Sequence, residues 1–484
     1  MTLNSMDISG EKDMNYELLD KIVDSKKDAI IEMMTRWLKI PSVQAPRSAD
    51  NAPFGVEVRK MLDLALKDAG EMGFDVKDFD GYAMHAQMGK GEETMGILCH
   101  LDVVPAGDGW THDPWGGEIA DGRIFGRGVV DDKGAAILAL FAMQAVKEAG
   151  VEMKDAVRLI LGCDEETGMS DMRYYAAHAE SLPNYGFSPD AEFPVINIEK
   201  GGLSLTLGKV SAGEEGAEMP VYGLYAGERQ NVVPGEAWAL LGVKDRNDFE
   251  AKIEKIKAEK DFDLKYVYEE DGACRLTAYG QQAHASMPEL GKNAAGMLLI
   301  ALRELGAGGG CKEAIEGVAN VIGIEGHGQS LGIAIEDEES GKLTCNLGIL
   351  RYDGKTFAAM LDIRYPLCAN ETTMCGQAVE AVAPYGMYVI KRGSHGPHHV
   401  SKDHKLVKGL IKAYSDATGK PGYAFAIGGG TYSRCMPNTV AFGLNFPGDP
   451  DPCHMADESL DIEKMMLSAR IMARAIAELA GKHE

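Results

Sequence analysis

Hydrophobic and polar positions along the first 200 residues alternate between two periods. Residues 15–40 and 57–73 repeat apolar side chains at helical spacing, whereas residues 93–105 and 155–168 each contain an apolar run typical of a buried strand. Residues 131–150 predict another helix, with two aspartates in its first turn. Alternating strands and helices predict an α/β fold with a mostly parallel sheet flanked by helices, in which ligands bind beyond the carboxyl ends of the strands.

From about residue 200 the pattern changes. Several strand-like segments follow one another, including a hairpin with an Asp-Gly turn at Asp353–Gly354, and shorter helices lie between them. After about residue 396 the α/β pattern returns, with a strand at 438–446 and a C-terminal helix. We therefore predict an α/β domain built from residues 1–199 and 397–484, with an α+β domain inserted at 200–396.

Composition and charge limit the classes of function. The 484 residues are 45% hydrophobic and 25% charged, which is ample for a large core, and the formal net charge is −25. This charge disfavours binding to nucleic acid or to an anionic membrane surface. The first 28 residues have no apolar signal-peptide core, and no apolar run is long enough to span a bilayer. Nine cysteines without a C-x-x-C pair favour a cytoplasmic protein with reduced thiols.

Three short clusters of chemically active side chains stand where apolar runs stop. They are H-L-D at His100 and Asp102, D-D-K-G at Asp131, and D-E-E-T-G at Glu165 and Glu166. Carboxylates and imidazoles are costly to collect at strand ends unless a cation compensates their repulsion. The clusters therefore predict a metal site. Taken alone, H-x-D is more often an ordinary surface pair, and D-E-E-T-G has a solvated acidic turn as its alternative interpretation, so the prediction depends on the combination.

Two further motifs have a plain structural interpretation beside a functional one. The loop at 428–431, G-G-G-T, lacks the G-x-G-x-x-G spacing and the following Lys-Ser/Thr of nucleotide-binding loops, so it is either a flexible loop or a backbone cradle for a carboxylate. The H-G-P-H-H segment with His395, His398 and His399 could hold a third metal, but its Pro-Gly content favours a hinge or interdomain linker.

The combination of motifs resembles a known family. H-L-D-V-V-P, G-R-G-V-V-D-D-K-G, D-E-E-T-G, S-P-D-A-E-F-P, A-H-A-S and a late His454 are similar to the di-zinc aminoacylase and carboxypeptidase G family of metallopeptidases. R-Q-N-V-V-P, D-I-R-Y-P and G-G-G-T-Y-S-R resemble its bacterial dipeptidase V branch, the Xaa-His or carnosinase-like dipeptidases. The resemblance implies a zinc exopeptidase-like catalytic domain with an inserted lid domain that binds substrate.

The resemblance also implies the ligands of two divalent ions, zinc first, with manganese or cobalt as alternatives. His100, Asp131 and Asp190 would hold one ion, and Asp131, Glu166 and His454 the other, so that Asp131 bridges them. Three carboxylates and a bridging hydroxide balance the charge of two divalent ions. Such a pair of ions can activate the shared water and stabilise a tetrahedral intermediate.

Catalytic roles follow from the same resemblance. Glu165 would be the general base, and Asp102 would accept the second ring N–H of His100 and fix its tautomer. A cis peptide bond would join Asp131 to Asp132. For Asp132, capping of the following helix is the alternative role. In the inserted domain, His284 would stabilise the oxyanion; it precedes a predicted Ser286-x-x-Glu289 capping box.

Substrate binding is assigned by resemblance to Asn231, Arg364, Gly429, Gly430 and Thr431, with Arg364 suited to a bidentate grip on a carboxylate. The expected function is a metal-dependent dipeptidase acting on short unblocked peptides. Deacylation of N-acyl amino acids on the same site is the alternative within the family, and a non-catalytic metal-binding relative is the alternative outside it. We expect a monomer, with a homodimer as the other possibility.

Overall fold

The computed structural model describes residues 16–211, 217–270 and 272–483. These form two compact units. The first comprises the described residues up to Asn197, together with His399–Phe425 and those from Gly430 onward. The second comprises the described residues of Ile198–His398, together with Ala426–Gly429. Each unit has its own hydrophobic core.

The helices and strands follow in chain order. Before residue 200 they are α1 (Tyr16–Ser25), α2 (Lys27–Leu38), α3 (Val56–Glu71), β1 (Asp75–Phe79), β2 (Ala83–Met88), β3 (Thr94–His100), β4 (Glu118–Ala120), β5 (Arg123–Phe125), α4 (Lys133–Glu148), β6 (Ala156–Gly162), α5 (Ser170–His178), β7 (Tyr185–Ser188), β8 (Ala191–Glu192) and β9 (Val195–Glu199). The second unit continues with β10 (Gly201–Val210), β11 (Val221–Ala226), β12 (Glu236–Leu241), α6 (Arg246–Lys260), β13 (Asp263–Tyr268), β14 (Cys274–Tyr279), α7 (Ala294–Leu305), α8 (Lys312–Val321), β15 (Glu336–Asp337), β16 (Gly341–Lys342), β17 (Thr344–Tyr352), β18 (Thr356–Tyr365), α9 (Glu371–Val382) and β19 (Tyr388–His395). The remaining elements are β20 (His398–His399), α10 (Lys405–Thr418), β21 (Ala424–Ile427), β22 (Thr439–Ala441), β23 (Leu444–Asn445), β24 (Ser459–Asp461) and α11 (Ile462–Ala480).

The main sheet of the first unit has the strand order β1-β2-β6-β3-β7-β22-β9-β20. Its central strands β6, β3, β7 and β22 are parallel, and the neighbouring pairs β2–β6 and β22–β9 are antiparallel. The predicted α/β class with a largely parallel central sheet is confirmed. Because β3 and β6 run side by side in the same direction, the residues that follow them meet at one edge.

Alternation along the strands explains why both faces of this sheet are covered. Ile97 and Cys99 of β3 point into the large core formed with α1, α2, α3, α4, α10 and α11. Leu98 points to the opposite face, into a smaller cluster with Tyr175 of α5 and Tyr432. Helix α4 lies deepest, since its side chains are buried almost all round. The segment that carries Asp131 therefore leads directly into the best-packed helix of the unit.

The structure corrects two boundaries predicted from the pattern. The helix expected over residues 15–40 is broken at Lys26, where the Ser25 hydroxyl donates to the Ile22 carbonyl at 2.6 Å and the Lys26 N–H turns back to Val23. Such side-chain bonds compete with the helical ladder. The strand expected over 438–446 is divided into β22 and β23, with Gly443 between them at φ +96° and followed by a cis peptide bond.

The second unit is an eight-stranded antiparallel sheet of order β13-β14-β12-β11-β17-β18-β10-β19. The predicted Asp353–Gly354 hairpin joins β17 to β18, with Gly354 at φ +85° and the Asp353 carboxylate accepting the N–H groups of Lys355 and Thr356. Helices α6 to α9 contribute to the unit's apolar core together with alternate residues of the strands. The predicted α+β character of the inserted segment is therefore confirmed.

Side-chain caps explain where three helices of the second unit begin. Asp245, Asn293 and Asn370 each accept a backbone N–H from the first turn of α6, α7 and α9.

Among the residues that the structure describes, no helix combines the length and apolar character that a membrane span requires.

Candidate active site

His100 ends β3 at the carboxyl edge of the parallel strands, fully buried. Its Nδ1 lies 2.8 Å from the backbone oxygen of Asp102, which can only accept a hydrogen bond, so Nδ1 carries the proton. Nε2 faces the carboxylates of Asp131 at 2.9 Å and Asp190 at 3.7 Å, yet it has no well-aligned hydrogen bond in the described structure. Two carboxylates thus converge on Nε2, and a divalent cation bound among these atoms would compensate their negative charge.

Asp131 connects this histidine to a second group. Its Oδ1 lies 2.9 Å from Nε2 of His100, whereas its Oδ2 lies 3.0 Å from Nε2 of His454. His454 Nε2 is also 3.1 Å from Oε2 of Glu166. The peptide bond between Asp131 and Asp132 is cis. The two oxygens of Asp131 thus serve two different clusters of donor atoms, as a bridging ligand requires.

Two sets of donor atoms are compact enough to surround a cation. His100, Glu165 and Asp190 each place one ligand atom within 4.8 Å of the others, and so do His100, Asp131 and Glu166. Imidazole and carboxylate donors suit zinc, and they also accept manganese or cobalt. All five ligands predicted from the sequence, together with Glu165, therefore lie in one small region of the first unit.

The electrostatics of this region are those of crowded acids. Burial raises the pKa of Glu165 and Asp190 well above the ordinary values, and the nearby charge of Asp131 raises both further. Burial also raises the pKa of Asp131, but the neighbouring imidazoles of His100 and His454 outweigh it and leave the net pKa lowered. Hydrogen bonds to Asp131 and Glu166 raise the pKa of His454 to about 10. Divalent cations would favour the ionised acids and the neutral histidines, which is the state that ligation needs.

Asp102 holds the acidic turn more directly than it holds the His100 ring. Its carboxylate oxygen is 3.5 Å from Nδ1 of His100, farther than its own backbone oxygen. The two oxygens of the carboxylate accept the backbone N–H groups of Glu165 and Glu166, each at 3.2 Å. A buried carboxylate with these partners fixes the direction in which Glu165 and Glu166 leave the turn.

Helix capping by Asp132 is not what the structure shows. The residue precedes α4, but its side chain makes no capping hydrogen bond. Instead, Oδ2 accepts the backbone N–H of His100 at 3.0 Å. Asp132 therefore joins the D-D-K-G loop to the end of β3, and the capping interpretation was wrong.

Several residues that support the acidic turn had no sequence signal of their own. Gln44 donates through Nε2 to Asp164 at 2.7 Å and to the Cys163 carbonyl at 3.0 Å. The buried Asp171 accepts the N–H groups of Cys163 at 2.6 Å and Asp164 at 2.8 Å, and it also accepts the Tyr432 hydroxyl. Asp171 follows D-E-E-T-G closely and could have been suspected as part of it. Gln44 lies far from the turn in sequence.

His284 and Asn231, which are predicted to face the substrate, lie in the second unit. His284 is exposed, and its Nδ1 accepts hydrogen bonds from the Ser286 hydroxyl at 2.7 Å and the Ser286 N–H at 3.2 Å. The Asn231 carbonyl accepts the Ala285 N–H at 2.9 Å, so the two loops run side by side. The predicted capping box is wrong, because Ser286 bonds to His284 and only a 3-10 turn at Pro288–Leu290 follows.

Arg364 of β18 is held by its neighbours. Nε and Nη2 donate to the Asp362 carboxylate at 2.6 and 2.9 Å, and Nη1 donates to the Gly428 carbonyl at 3.2 Å. Gly428 is itself close to Ser286, since a Cβ at 428 would lie 2.5 Å from the Ser286 side chain. Arg364, Gly428 and Gly429 thus belong to the same unit as His284.

The rest of the glycine loop belongs to the first unit. Gly430 lies against Arg434, and the buried Thr431 side chain accepts the N–H of Ser433 at 3.1 Å. The loop predicted to contact a carboxylate is therefore divided between the units, with Gly429 as the last residue of one and Gly430 as the first of the other.

Comparison with known proteins identifies the family. A profile of peptidase family M20/M25/M40 matches residues 96–478, a range that contains all five predicted metal ligands. The chain is 36% identical over 472 residues to YtjP of Bacillus subtilis (strain 168), covering 96% of this chain and 100% of that protein. It is 34% identical over 479 residues to the Beta-Ala-Xaa dipeptidase of Lactobacillus delbrueckii subsp. lactis, covering 98% and 100%.

The fold is also found among solved structures. Human carnosine dipeptidase 1 aligns with a TM-score of 0.59 at 13% identity, covering 96% of this chain and 99% of that one. The resemblance seen in the sequence motifs is confirmed by these matches. The chain belongs to peptidase family M20/M25/M40.

Proposed function

We propose that the chain is a metal-dependent dipeptidase that hydrolyses the amide bond of short unblocked peptides. The observation that carries this proposal is the buried His100 Nε2, which faces Asp131 and Asp190 without an aligned hydrogen bond, beside a third carboxylate from Glu165. Such a cluster is costly for folding alone, whereas it is what a hydrolytic metal centre requires.

We assign His100, Asp131 and Asp190 to one divalent ion, and Asp131, Glu166 and His454 to a second. Zinc is the first choice, and manganese or cobalt are alternatives. When bound, the pair would supply Lewis-acid polarisation of the scissile carbonyl and activation of a water. The remaining chemistry belongs to the side chains of the protein.

Glu165 is the proposed general base. Its backbone N–H is held by Asp102, and its carboxylate lies within 4.8 Å of ligand atoms of His100 and Asp190, so it can reach a water placed among them. It would take a proton from that water and give it to the departing amine. Asp102 would keep the base and the neighbouring Glu166 at a fixed spacing.

His284 is proposed to stabilise the negative charge that develops on the carbonyl oxygen. Because Ser286 donates to Nδ1 through both its hydroxyl and its N–H, the neutral ring of His284 carries its proton on Nε2. That N–H is a donor of the kind an oxyanion needs. The local geometry of the inserted segment therefore favours the required tautomer before substrate arrives.

Recognition of the substrate carboxylate is assigned to Arg364, with Asn231, Gly429, Gly430 and Thr431. A guanidinium has five N–H donors, and Asp362 and Gly428 take three of them, which leaves one on each terminal nitrogen. Two N–H groups on adjacent nitrogens can still grip both oxygens of a carboxylate. Asp362 fixes the plane in which they are presented.

The names of two similar proteins support a small peptide as substrate. One relative is a Beta-Ala-Xaa dipeptidase, and one protein of similar fold is a carnosine dipeptidase. We further propose that residues 200–396 act as the lid and substrate domain and that the enzyme is a monomer. Light scattering coupled to size exclusion tests the oligomeric state, since a mass near twice 52.1 kDa would contradict it.

The direct test is hydrolysis of matched substrates by protein loaded with zinc, manganese or cobalt. We expect dipeptides, including β-alanyl dipeptides, to be cleaved faster than the same amino acids carrying an N-acetyl or N-succinyl group. Faster cleavage of the acylated set would favour the deacylase. If metal-loaded protein cleaves neither set, the chain is a metal-binding relative without turnover.

A further inference from the structure

Glu458 lies four residues after His454 and is completely buried. Its Oε1 accepts the backbone N–H groups of Gly128, Val130 and Asp131 at 3.2, 2.9 and 3.2 Å. Oε2 accepts Nη1 of Arg127 at 2.7 Å and the Gly128 N–H at 3.1 Å. One carboxylate thus accepts three backbone N–H groups and one guanidinium N–H from the segment that ends at the proposed bridging ligand.

Arg127 completes the connection in the opposite direction. It is 1% exposed, and its Nη2 donates to the backbone oxygens of Met455 at 3.2 Å and Ala106 at 3.3 Å. The Gly126 N–H also donates to the Glu458 carbonyl at 3.0 Å. The loop that carries His454 and the loop that carries Asp131 are therefore joined by a buried ion pair and by backbone hydrogen bonds on both sides of it.

We infer that Glu458 is a positioning residue for the metal centre, which sets the spacing between Asp131 and His454 through their backbones. The inference rests on the proposed function, because it concerns ligands of the proposed ions. Nε2 of His454 stands 3.0 Å from Oδ2 of Asp131, so a small shift of either loop changes the shape of the cluster. Partners that orient ligands in this way commonly affect metal affinity by about 10- to 100-fold.

The hydrogen bonds of Glu458 allow the effect of its charge to be tested without a change in side-chain volume. Both oxygens of Glu458 receive N–H donors, so an amide at this position always turns its NH₂ group toward another donor. Glu458→Gln keeps the volume of the side chain but creates a donor-donor conflict in a buried site. The conflict falls on the backbone of the Asp131 loop or on Arg127, and in either case it loosens the connection between the two loops.

A control residue is available at the opposite edge of the main sheet, where the parallel strands begin. Asp155 is 1% exposed and accepts the Tyr185 hydroxyl at 2.7 Å and the Glu93 N–H at 3.2 Å. It precedes β6, whereas the candidate site follows the carboxyl ends of β3 and β6. Asp155→Asn therefore removes a buried, hydrogen-bonded charge without touching the loops that carry the ligands.

The experiment is a chelator-competition titration of zinc and cobalt on wild type, Glu458→Gln and Asp155→Asn, with thermal unfolding of each metal-free protein. We expect Glu458→Gln to bind the weaker of the two ions about 10- to 100-fold less tightly and to alter the d–d absorption of bound cobalt. Asp155→Asn should lower the melting temperature while keeping both affinities and the cobalt spectrum.

The outcomes distinguish this inference from the proposed function. Wild-type protein that binds no metal contradicts the proposed function itself. Wild type with two ions and Glu458→Gln with the same affinities and spectrum overturns the inference, and Glu458 is then only a core residue. If Glu458→Gln does not fold, Arg127→Lys serves instead, because lysine keeps the charge but cannot also reach both Met455 and Ala106. Unchanged affinities in that variant overturn the inference equally.

Discussion

The two units hold their proposed functional residues in contrasting ways. In the first, His100 and Asp131 are buried, and the backbone N–H groups of the acidic turn donate hydrogen bonds to Asp102 and Asp171. In the second, His284 and Asn231 are exposed on neighbouring loops. A divalent ion can bind where ligand groups converge, as they do around the buried His100, and this holds although the proposed ligand His454 is exposed. Groups that meet a substrate must remain accessible. The ligands at the centre of the proposed metal site are therefore buried, whereas His284 and Asn231 remain accessible.

The largest effect is expected from Glu165→Ala in the first unit. We predict a loss of about 10⁴-fold in kcat, the upper end for a general base, with two metals still bound. Activity assays measure kcat, and elemental analysis measures the number of bound metal ions. The matched control is Glu166→Ala, which removes a proposed ligand and should therefore lower the metal content. Metal loss in Glu165→Ala would show that this carboxylate is a ligand rather than the base.

His284→Ala should separate the units most clearly. We expect kcat to fall about 10²- to 10³-fold, as for loss of an oxyanion donor. Because the side chain is exposed, the melting temperature and the metal content should stay the same. Gln282→Ala, an exposed change on the same loop, is the control and should keep activity. A fall in metal content would mean that the second unit also shapes the metal centre.

Arg364→Lys should have a smaller effect, confined to substrate affinity. A lysine cannot hold Asp362 bidentately and also present two parallel donors, so KM for a dipeptide should rise about 10-fold. The C-terminal amide of the same dipeptide is the control. It lacks the carboxylate, so its KM should change little. An equal rise for both substrates would show that Arg364 acts on the fold of β18 instead.

The smallest expected effect is on the protonation of His454. Asp131 and Glu166 raise the pKa of His454 to about 10 in the metal-free protein, above the value near 6.5 of an unfolded histidine. The pairing thus stabilises the metal-free fold fully below about pH 6.5 and is lost as pH rises through about 10. Ligation needs the neutral ring, so metal uptake at pH 7 should release a proton from His454, and the affinity for metal should rise with pH.

Calorimetry in two buffers of different ionisation enthalpy measures this release. His454→Asn should release about one proton fewer than wild type. The same proton count in both proteins would mean that the released proton comes from another group.

Local patterns were sufficient to predict much of the fold and the chemistry-bearing residues. The apolar run before His100 and the helix after Asp132 depend on neighbouring positions, so their periodicity reveals them directly. The break at Lys26 was hidden because a single serine side chain decides it. The false capping box at Ser286 had the right letters, but the serine bonds to His284 instead.

The supporting residues of the site could not be predicted in the same way. Glu458 bonds to Asp131 across 327 positions, and Gln44 reaches Asp164 across 120. Their roles depend on how strands are ordered in the sheet, which no local pattern specifies. The division of the glycine loop between units at Gly429 and Gly430 likewise follows from the three-dimensional partition of the chain.

The order of the proposed ligands along the chain has a consequence for biosynthesis. His100, Asp131 and Asp190 precede the second unit, but His454 follows it, 354 positions after His100 (454 minus 100). At about 5–20 residues per second, a ribosome needs about 20–70 s to travel that distance. During that time the first unit also lacks β22, which lies between β7 and β9 in its sheet, and the helices α10 and α11 of its core. The first unit and both proposed ion sites are therefore expected to form only after the inserted unit has been translated.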